Sequence, residues 1–185
     1  MGEQTAERRQ VEAKLAGARM QIAALAAAQD RDAAESYACA AVHQMLQALT
    51  AALQQLNALM PDPLPPMRVS RRNLRDRFAA VGAESQVLRE LDRVGRPGQG
   101  WLWWLERQAA GSSFRSLVQL DPAGQRAVSR DPLDPGAGLE PGGAAAHLTT
   151  RLEQMRALVA QIDGLADADA ARYRAALRRQ NVSPL

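Results

Sequence analysis

Cys39 and His43 are the two residues whose types and spacing best suit chemistry. They stand four residues apart, so on a helix their side chains share one face. A thiolate and an imidazole are both zinc ligands, but a closed zinc site needs four ligands, and the only other histidine is His147. Free cysteine is usually buried and inert. We therefore predict a core thiol and a core histidine here, with no metal ion and no cofactor.

Three tryptophans are concentrated in one short segment, Trp101, Trp103 and Trp104. On a helix, Trp101, Trp104 and Leu105 share a face, whereas Trp103 points away from them. Two interpretations stay open. The rings pack as core against the small residues of a neighbouring helix, or they form a candidate partner surface, because tryptophan is enriched in interfaces. In the second case we expect Trp103 to be buried in a homodimer or to meet a partner in a groove.

A cluster of arginines follows a proline-rich stretch. Arg68, Arg71 and Arg75 have a 3-4 spacing that places them on one helical face. A solvated charged face is one interpretation, and a candidate anion patch that binds nucleic acid weakly is the other. The net charge of the chain is only +3, and neither interleaved aromatics nor a recognition motif accompanies the arginines. The sequence therefore makes these three residues a candidate anion patch, but it does not require nucleic acid as the partner.

The composition of the chain favours one helical domain in a reducing compartment. Its 185 residues can bury a real core, aromatics make up only 4%, and alanine, the best helix former, is abundant. The single cysteine excludes a disulfide within the chain. The N-terminus has no apolar signal-peptide core, and there is no run of about 18 apolar residues. We expect a cytoplasmic protein without a membrane partner.

The elements that must position these groups begin with a helical hairpin over residues 1–60. Helix 1 is expected over 5–28 with one heptad stripe, followed by a three-residue turn and helix 2, capped by Asp32. So short a connection makes the two helices antiparallel. Helix 2 has a broad apolar face, which predicts the central helix of a bundle. Its main stripe is Val42, Leu46, Leu49, Leu53, Leu56 and Met60, of which Leu46, Leu49 and Leu53 should be nearly fully buried.

The rest of the chain divides into a strap, short helices, a loop and C-terminal helices. Four prolines predict an extended strap over 61–69. Within 70–110, we expect a helix capped by Ser70 over 71–81 and two more over 84–94 and 100–110. Glycines and prolines predict a long irregular loop over 111–143. Helix returns over 144–180, with an interruption at Gly164 and a new or kinked start at Asp167 and Asp169.

Together these patterns predict a single all-α domain over residues 1–185. It is a helical bundle built on the long antiparallel N-terminal hairpin and completed by the 148–165 helix. Shorter helices from 70–110 cross it, and a long irregular loop connects them to the C-terminal helices.

Three segments resemble a family of small, uncharacterised bacterial helical proteins known as a domain of unknown function. They are the alanine-rich context of His43 in residues 40–46, the tryptophan-bearing segment 100–102, and the last amphipathic helix over 148–165. The resemblance implies the same opening hairpin over most of the chain. It implies no activity and no site residues.

More distantly, the hairpin resembles HEPN-type four-helix domains, some of which are RNA-cleaving toxins or nucleotide-binding partners. Their ribonuclease signature has an arginine separated from a histidine by four to six residues. The corresponding positions are Ser36, Tyr37 and Ala38 before His43, and Glu140, Pro141 and Gly142 before His147. Because none is arginine, the resemblance implies the fold without the cleavage chemistry.

Two classes of function follow from the sequence. The first is a non-enzymatic protein-interaction or scaffold protein that binds a protein partner or a second copy of itself. The second is a small-molecule or nucleic-acid-binding protein that uses the bundle cleft or the arginine face over 68–77. An enzyme is not expected, because no acid–base pair, nucleophile or metal-ligand set stands out.

Overall fold

The computed structural model describes residues 6–110 and 141–182, and all the regular elements in these ranges are helices, as the all-α prediction requires. A 3-10 turn, Pro66–Arg68, lies between the second and third α-helices. The α-helices are α1 Ala6–Ala26, α2 Arg31–Ala58, α3 Arg71–Ala80, α4 Gln86–Val94, α5 Trp101–Ala110 and α6 Pro141–Val182.

The core forms around α2. The helices α1 and α2 pack along each other as an antiparallel hairpin, α6 packs against both, and α5 packs on α2. The heptad stripe of α1 is buried as predicted, with Leu25 fully enclosed. The cap of α2 was predicted wrongly. Asp30, rather than Asp32, accepts a hydrogen bond from the Ala33 N–H at 2.7 Å, because it alone has the extended backbone of a capping residue.

The predicted extended strap over 61–69 is interrupted, because the chain bends at residues 61–62. The side chain of Asn57 anchors the strap to α2. The amide N–H of Asn57 donates to the Leu64 carbonyl, and the amide oxygen of Asn57 accepts from the Leu64 N–H, both at 2.9 Å. The remainder departs from the prediction and forms the 3-10 turn Pro66–Arg68. Proline suits the first position of a helical turn, where its fixed φ is already helical and its missing N–H is not needed.

The C-terminal region is one continuous helix, which corrects two predictions. α6 begins at Pro141, so residues 141–143 are helical rather than part of the loop, while 111–140 lie outside the described residues. The predicted break at Gly164 and new start at Asp167 are wrong, because α6 continues through both. Gly164 is exposed, and a glycine on the exposed side of a long helix costs only about 1 kcal/mol.

Asp169, which the sequence pattern placed at a helix start, instead caps a different helix. Its fully buried carboxylate accepts hydrogen bonds from the N–H groups of Gln86 at 3.0 Å and Val87 at 2.9 Å, at the first turn of α4. The Ser85 hydroxyl, itself the N-cap of α4, and Arg172 also donate to it. This cluster joins α6 to α4 by satisfying N–H groups that a helix start leaves unpaired.

The turn between α4 and α5 depends on two glycines. Gly98 has a φ of +72°, a left-handed conformation that other residues rarely adopt. Gly100 lies so close to the carbonyl of Val94 that no Cβ would fit. The chain therefore reverses tightly between the end of α4 and the start of α5, and Arg96 in this turn lines the same cleft as Leu46 of α2.

We expect Asp169→Ala to lower the free energy of unfolding by about 2–5 kcal/mol, because it leaves the buried Ser85 hydroxyl and Val87 N–H without their acceptor. Asp167→Ala is the matched control: this aspartate is exposed on the same helix, and its loss should change stability by less than about 0.5 kcal/mol. Urea unfolding at pH 7 measures both. Equal stability of the two variants would contradict the capping role.

The same carboxylate should make stability depend on pH. Burial acts to raise the pKa of Asp169, but hydrogen bonds from Arg172, Ser85 and the N–H groups of Val87 and Gln86 outweigh it and hold the pKa below its ordinary value. Its contribution is thus complete above the unfolded pKa of about 3.9 and is lost as the pH falls through the folded pKa. The stability gap between wild type and Asp169→Ala should be constant above about pH 5 and narrow below it. A gap that widened in acid would refute this assignment.

The burial of the α2 stripe predicts a graded response to truncation. Leu49 and Leu53 are only 5% and 4% exposed, as expected, but Leu46 is half-buried, which corrects the prediction for that residue. Leu49→Ala should cost about 2–5 kcal/mol. Leu46→Ala should cost clearly less, since part of its side chain stays in water. Thermal melts that rank the two variants in the opposite order would contradict this packing.

Candidate functional site

An open cleft of about 870 Å³ runs along one side of α2. Its floor is the leucine stripe Leu46, Leu49 and Leu53, together with Thr50. One wall is the start of α3, from Val69 to Arg75, and the other is the end of α4, the following turn and Glu106 of α5. Leu46 is half-buried in this cleft, because the described helices do not enclose it, whereas Leu49 and Leu53 are nearly enclosed.

The predicted anion patch is divided by the structure. Arg71 and Arg75 both lie in the wall of the cleft, whereas Arg68 is exposed in the 3-10 turn and does not line the cleft. Arg71 is half-buried and pairs with Glu106 of α5 at 2.9 Å. Arg75 pairs with Asp92 of α4. Two of the three predicted residues therefore already have carboxylate partners within the chain.

A third arginine of α3, Arg77, also connects this helix to its neighbours. The side chain of Arg77 is only 15% exposed, lies over the ring of Tyr173 at 5.5 Å and donates to its hydroxyl at 3.3 Å. It also pairs with Asp62 of the strap at 3.6 Å. Phe78 packs edge-on against the same tyrosine. Arginines that read as a charged face in sequence thus attach α3 to its neighbours.

Of the four arginines among the described cleft residues, the two that have no carboxylate partner are Arg72 of α3 and Arg96 of the α4–α5 turn. Both are exposed, both line the cleft, and neither forms an ion pair with a described residue. Neither residue belongs to the patch that the sequence predicts. Arg72 lacks the 3-4 spacing of the patch, and Arg96 is brought close only by the tertiary fold.

The tryptophan cluster lies outside the cleft lining and divides between core and surface. Trp104 is 1% exposed, so its assignment to a partner surface was wrong and its assignment to core was correct. Trp101 and Trp103 are half-buried, and the guanidinium of Arg107 lies over the Trp103 ring at 5.2 Å. The Trp103 ring therefore has a cation–π partner on its own helix.

Buried Trp104 is packed against two side chains of α6. The ring of His147 meets it edge-on at 4.9 Å, and the guanidinium of Arg151 lies 5.5 Å from its centre. Burial lowers the pKa of His147, and the positive charge of Arg151 lowers it further. His147 is thus neutral at pH 7 and accepts a hydrogen bond from Arg151 at 3.4 Å. The indole N–H of Trp104 has no hydrogen-bond partner among the described residues.

The Cys39–His43 pair is more exposed than predicted. His43 is exposed, so it is not a core histidine, and Cys39 is half-buried. The imidazole Nδ1 lies 3.4 Å from the thiol sulfur and 2.9 Å from the carbonyl oxygen of Cys39. The ring nitrogen therefore has hydrogen-bond partners within its own helix. Within 6–110 and 141–182, no three side chains of metal-binding type come together.

A second groove, of about 930 Å³, lies between α1, the end of α2 and α6. Asp163 of α6 bridges its walls, accepting a hydrogen bond from Gln55 of α2 and pairing with Arg8 of α1 at 3.3 Å. These bridges hold the walls together. Ion pairs likewise join the walls of the α2–α3 cleft, Arg71 with Glu106 and Arg75 with Asp92. Arg72 and Arg96 also line that cleft and form no ion pair with a described residue.

Comparisons with protein-family models, with curated proteins and with solved structures find no match to this chain. Among the described helices, none is long and apolar enough to cross a membrane.

The different exposure of the tryptophans can be measured by fluorescence quenching with acrylamide, a neutral quencher. Trp103→Phe should reduce the quenchable emission, because it removes a half-exposed ring. Trp104→Phe should leave the quenchable emission in place, because a core ring is shielded from the quencher. Trp101 is present in both variants and serves as the common background. Steeper quenching after Trp103→Phe than after Trp104→Phe would contradict the observed burial.

Proposed function

We propose that the protein is a non-enzymatic, cytoplasmic interaction protein whose binding surface is the cleft between α2 and α3. The observation that carries this proposal is an open cleft in whose lining Leu46 is only half-buried, although Leu49 and Leu53 beside it are nearly enclosed. A helical bundle normally buries the main stripe of its central helix, and a concave surface with a mixed apolar and polar lining is the usual form of a binding site. Here the rim consists largely of arginine, which is enriched in protein interfaces.

The composition of the cleft favours recognition over catalysis. Its lining holds no histidine or cysteine, and its two carboxylates, Asp92 and Glu106, are each paired with an arginine. A general base must be placed to take a proton from a substrate. Carboxylates held in ion pairs at the wall are better suited to fixing the shape of the cleft.

Nucleic acid, the alternative partner, is less well supported by this arrangement. Arg71 and Arg75, two of the three residues on which the alternative depends, already neutralise carboxylates. A second copy of the chain is the other alternative. It would occupy the same leucine floor, and the experiment below separates it from a foreign partner.

The test blocks the cleft without disturbing the core. Thr50 is exposed and lines the floor, so Thr50→Trp should fill the cleft and abolish binding while the fold is kept. Gln47→Trp is the matched control, because Gln47 is exposed on the same helix but does not line the cleft. Each variant is used as bait in cells that make the protein, and bound proteins are identified by quantitative mass spectrometry.

We expect a set of proteins that bind both wild type and Gln47→Trp. The amount of each that Thr50→Trp retains should be at least tenfold lower. An identical set of bound proteins for all three baits would refute the proposal. Sedimentation of the purified chains adds a second readout. A wild-type dimer that Thr50→Trp converts to a monomer identifies a second copy as the occupant.

A further inference from the structure

The exposed side of the proline strap is a surface that the proposed function does not use. Three of its prolines and the methionine that follows them are exposed within five positions of the chain, Pro63, Pro65, Pro66 and Met67. Met67 is 99% exposed, more than Met20 of α1, the other large hydrophobic side chain that the described residues expose. None of the four strap residues lines the cleft. Single exposed apolar side chains are common, but an adjoining group of them is typical of an interaction site.

We infer that residues 63–68 of the strap bind a pocket of a partner protein that is lined by aromatic side chains and has a carboxylate beside them. The inference goes beyond the proposed function, because it assigns a second binding surface outside the cleft. It rests on the fixed conformation of the strap, on its hydrogen-bonded backbone, on the side chains that it exposes and on the charge at its end.

The strap is held in one conformation before any partner binds. At one end, Asn57 of α2 bonds both backbone groups of Leu64 at 2.9 Å. The following turn is closed by a hydrogen bond from the Arg68 N–H to the Pro65 carbonyl at 2.8 Å. At the other end, Asn73 of α3 donates to the Arg68 carbonyl at 2.6 Å. A segment that is already ordered loses little conformational entropy when it binds, which favours affinity.

The strap offers a partner its side chains rather than its backbone. Proline has no N–H group. Four carbonyls of the strap, those of Leu64, Pro65, Pro66 and Arg68, each accept a hydrogen bond from within the chain. Pairing with an added β-strand needs a row of free N–H and C=O groups, so this mode of binding is disfavoured.

The exposed side chains favour aromatic rings as their partners. Pro65 has a φ of −53° and a ψ of 139°, close to the polyproline II conformation. Proteins bind proline-rich segments of this conformation in grooves lined by aromatic side chains. The thioether of Met67 suits the same surroundings, because sulfur makes favourable contacts with aromatic rings. An aromatic lining therefore matches both the prolines and the methionine.

Arg68 adds a positive charge at the end of this surface. It is exposed and forms no ion pair with a described residue. Arg71 and Arg75, which the sequence groups with it as an anion patch, are paired with carboxylates of the chain itself. A guanidinium binds a carboxylate through two parallel hydrogen bonds. Arg68 is thus the member of the patch that a partner's carboxylate can reach without displacing another.

Photo-crosslinking in cells that make the protein tests the inference on the full chain. The photoreactive amino acid p-benzoylphenylalanine replaces Met67 in one variant and Met20 in the matched control. Both side chains lie in water, so both variants should keep the fold. Mass spectrometry identifies each cross-linked protein and the segment of it that the benzophenone has reached.

At position 67 we expect adducts with a partner segment in which aromatic residues and Asp or Glu surround the cross-linked site. The control at position 20 should give less than a tenth of this yield. Adding Arg68→Glu should lower the yield at position 67 at least tenfold, because it sets two negative charges against each other. Adding Arg174→Glu, the same charge reversal at an exposed arginine of α6, should change the yield by no more than about twofold.

Binding of the purified partner is then measured by fluorescence anisotropy. Met67→Ser should weaken binding at least fivefold, because it removes the most exposed apolar side chain of the strap. Met20→Ser should leave the affinity unchanged. Thr50→Trp, which fills the cleft, should also leave it unchanged, since the strap does not line the cleft.

Several outcomes would overturn the inference. A cross-linked segment without aromatic residues, full binding by Arg68→Glu, or a yield at position 67 no higher than at position 20 would each refute it. Adducts with a second copy of this chain, or with lipid, would replace the partner class. The proposed function fails separately, if Thr50→Trp retains every protein that wild type binds.

Discussion

The broad apolar face of α2 is the constraint on which the rest of the structure depends. A helix that is apolar on several sides cannot be covered by one neighbour, so α1, α6 and α5 each take a side. The small residues of α2, such as Ala34, Ala38 and Ala41, are fully buried and let these neighbours approach closely. On the remaining side the described helices leave Leu46 half-buried, and the cleft lies there.

Polar contacts hold the walls of this cleft in place. α3 is joined to α5 through Arg71 and Glu106, and to α6 through Arg77 and Tyr173. α4 is joined to α6 through the buried carboxylate of Asp169. These contacts are directional, unlike the burial of leucines, and so they fix where each short helix begins and how it is oriented.

Each of the charge patterns in this sequence is compatible with two interpretations, and only the tertiary contacts distinguish between them. Arg71 and Arg75 had the spacing of an anion-binding face, and that spacing serves equally well to reach Glu106 and Asp92 on two other helices. Asp169 had the features of a helix start, and it does bind the start of a helix, but that helix is α4. In each case the residue type indicated the correct chemistry, and the partner was far away in sequence.

The sequence by itself determined the all-α class, the N-terminal hairpin and most of the core. Helical periodicity is a local property, and burial of an apolar stripe follows from it whichever neighbour covers the stripe. Ser70 was predicted as a cap for the same reason, because capping involves residues only three apart. The half-burial of Leu46, the continuity of α6 and the position of Arg96 in the cleft wall follow only from the tertiary structure. These features depend on which helix lies opposite, and the spacing of residues along a single helix does not encode that.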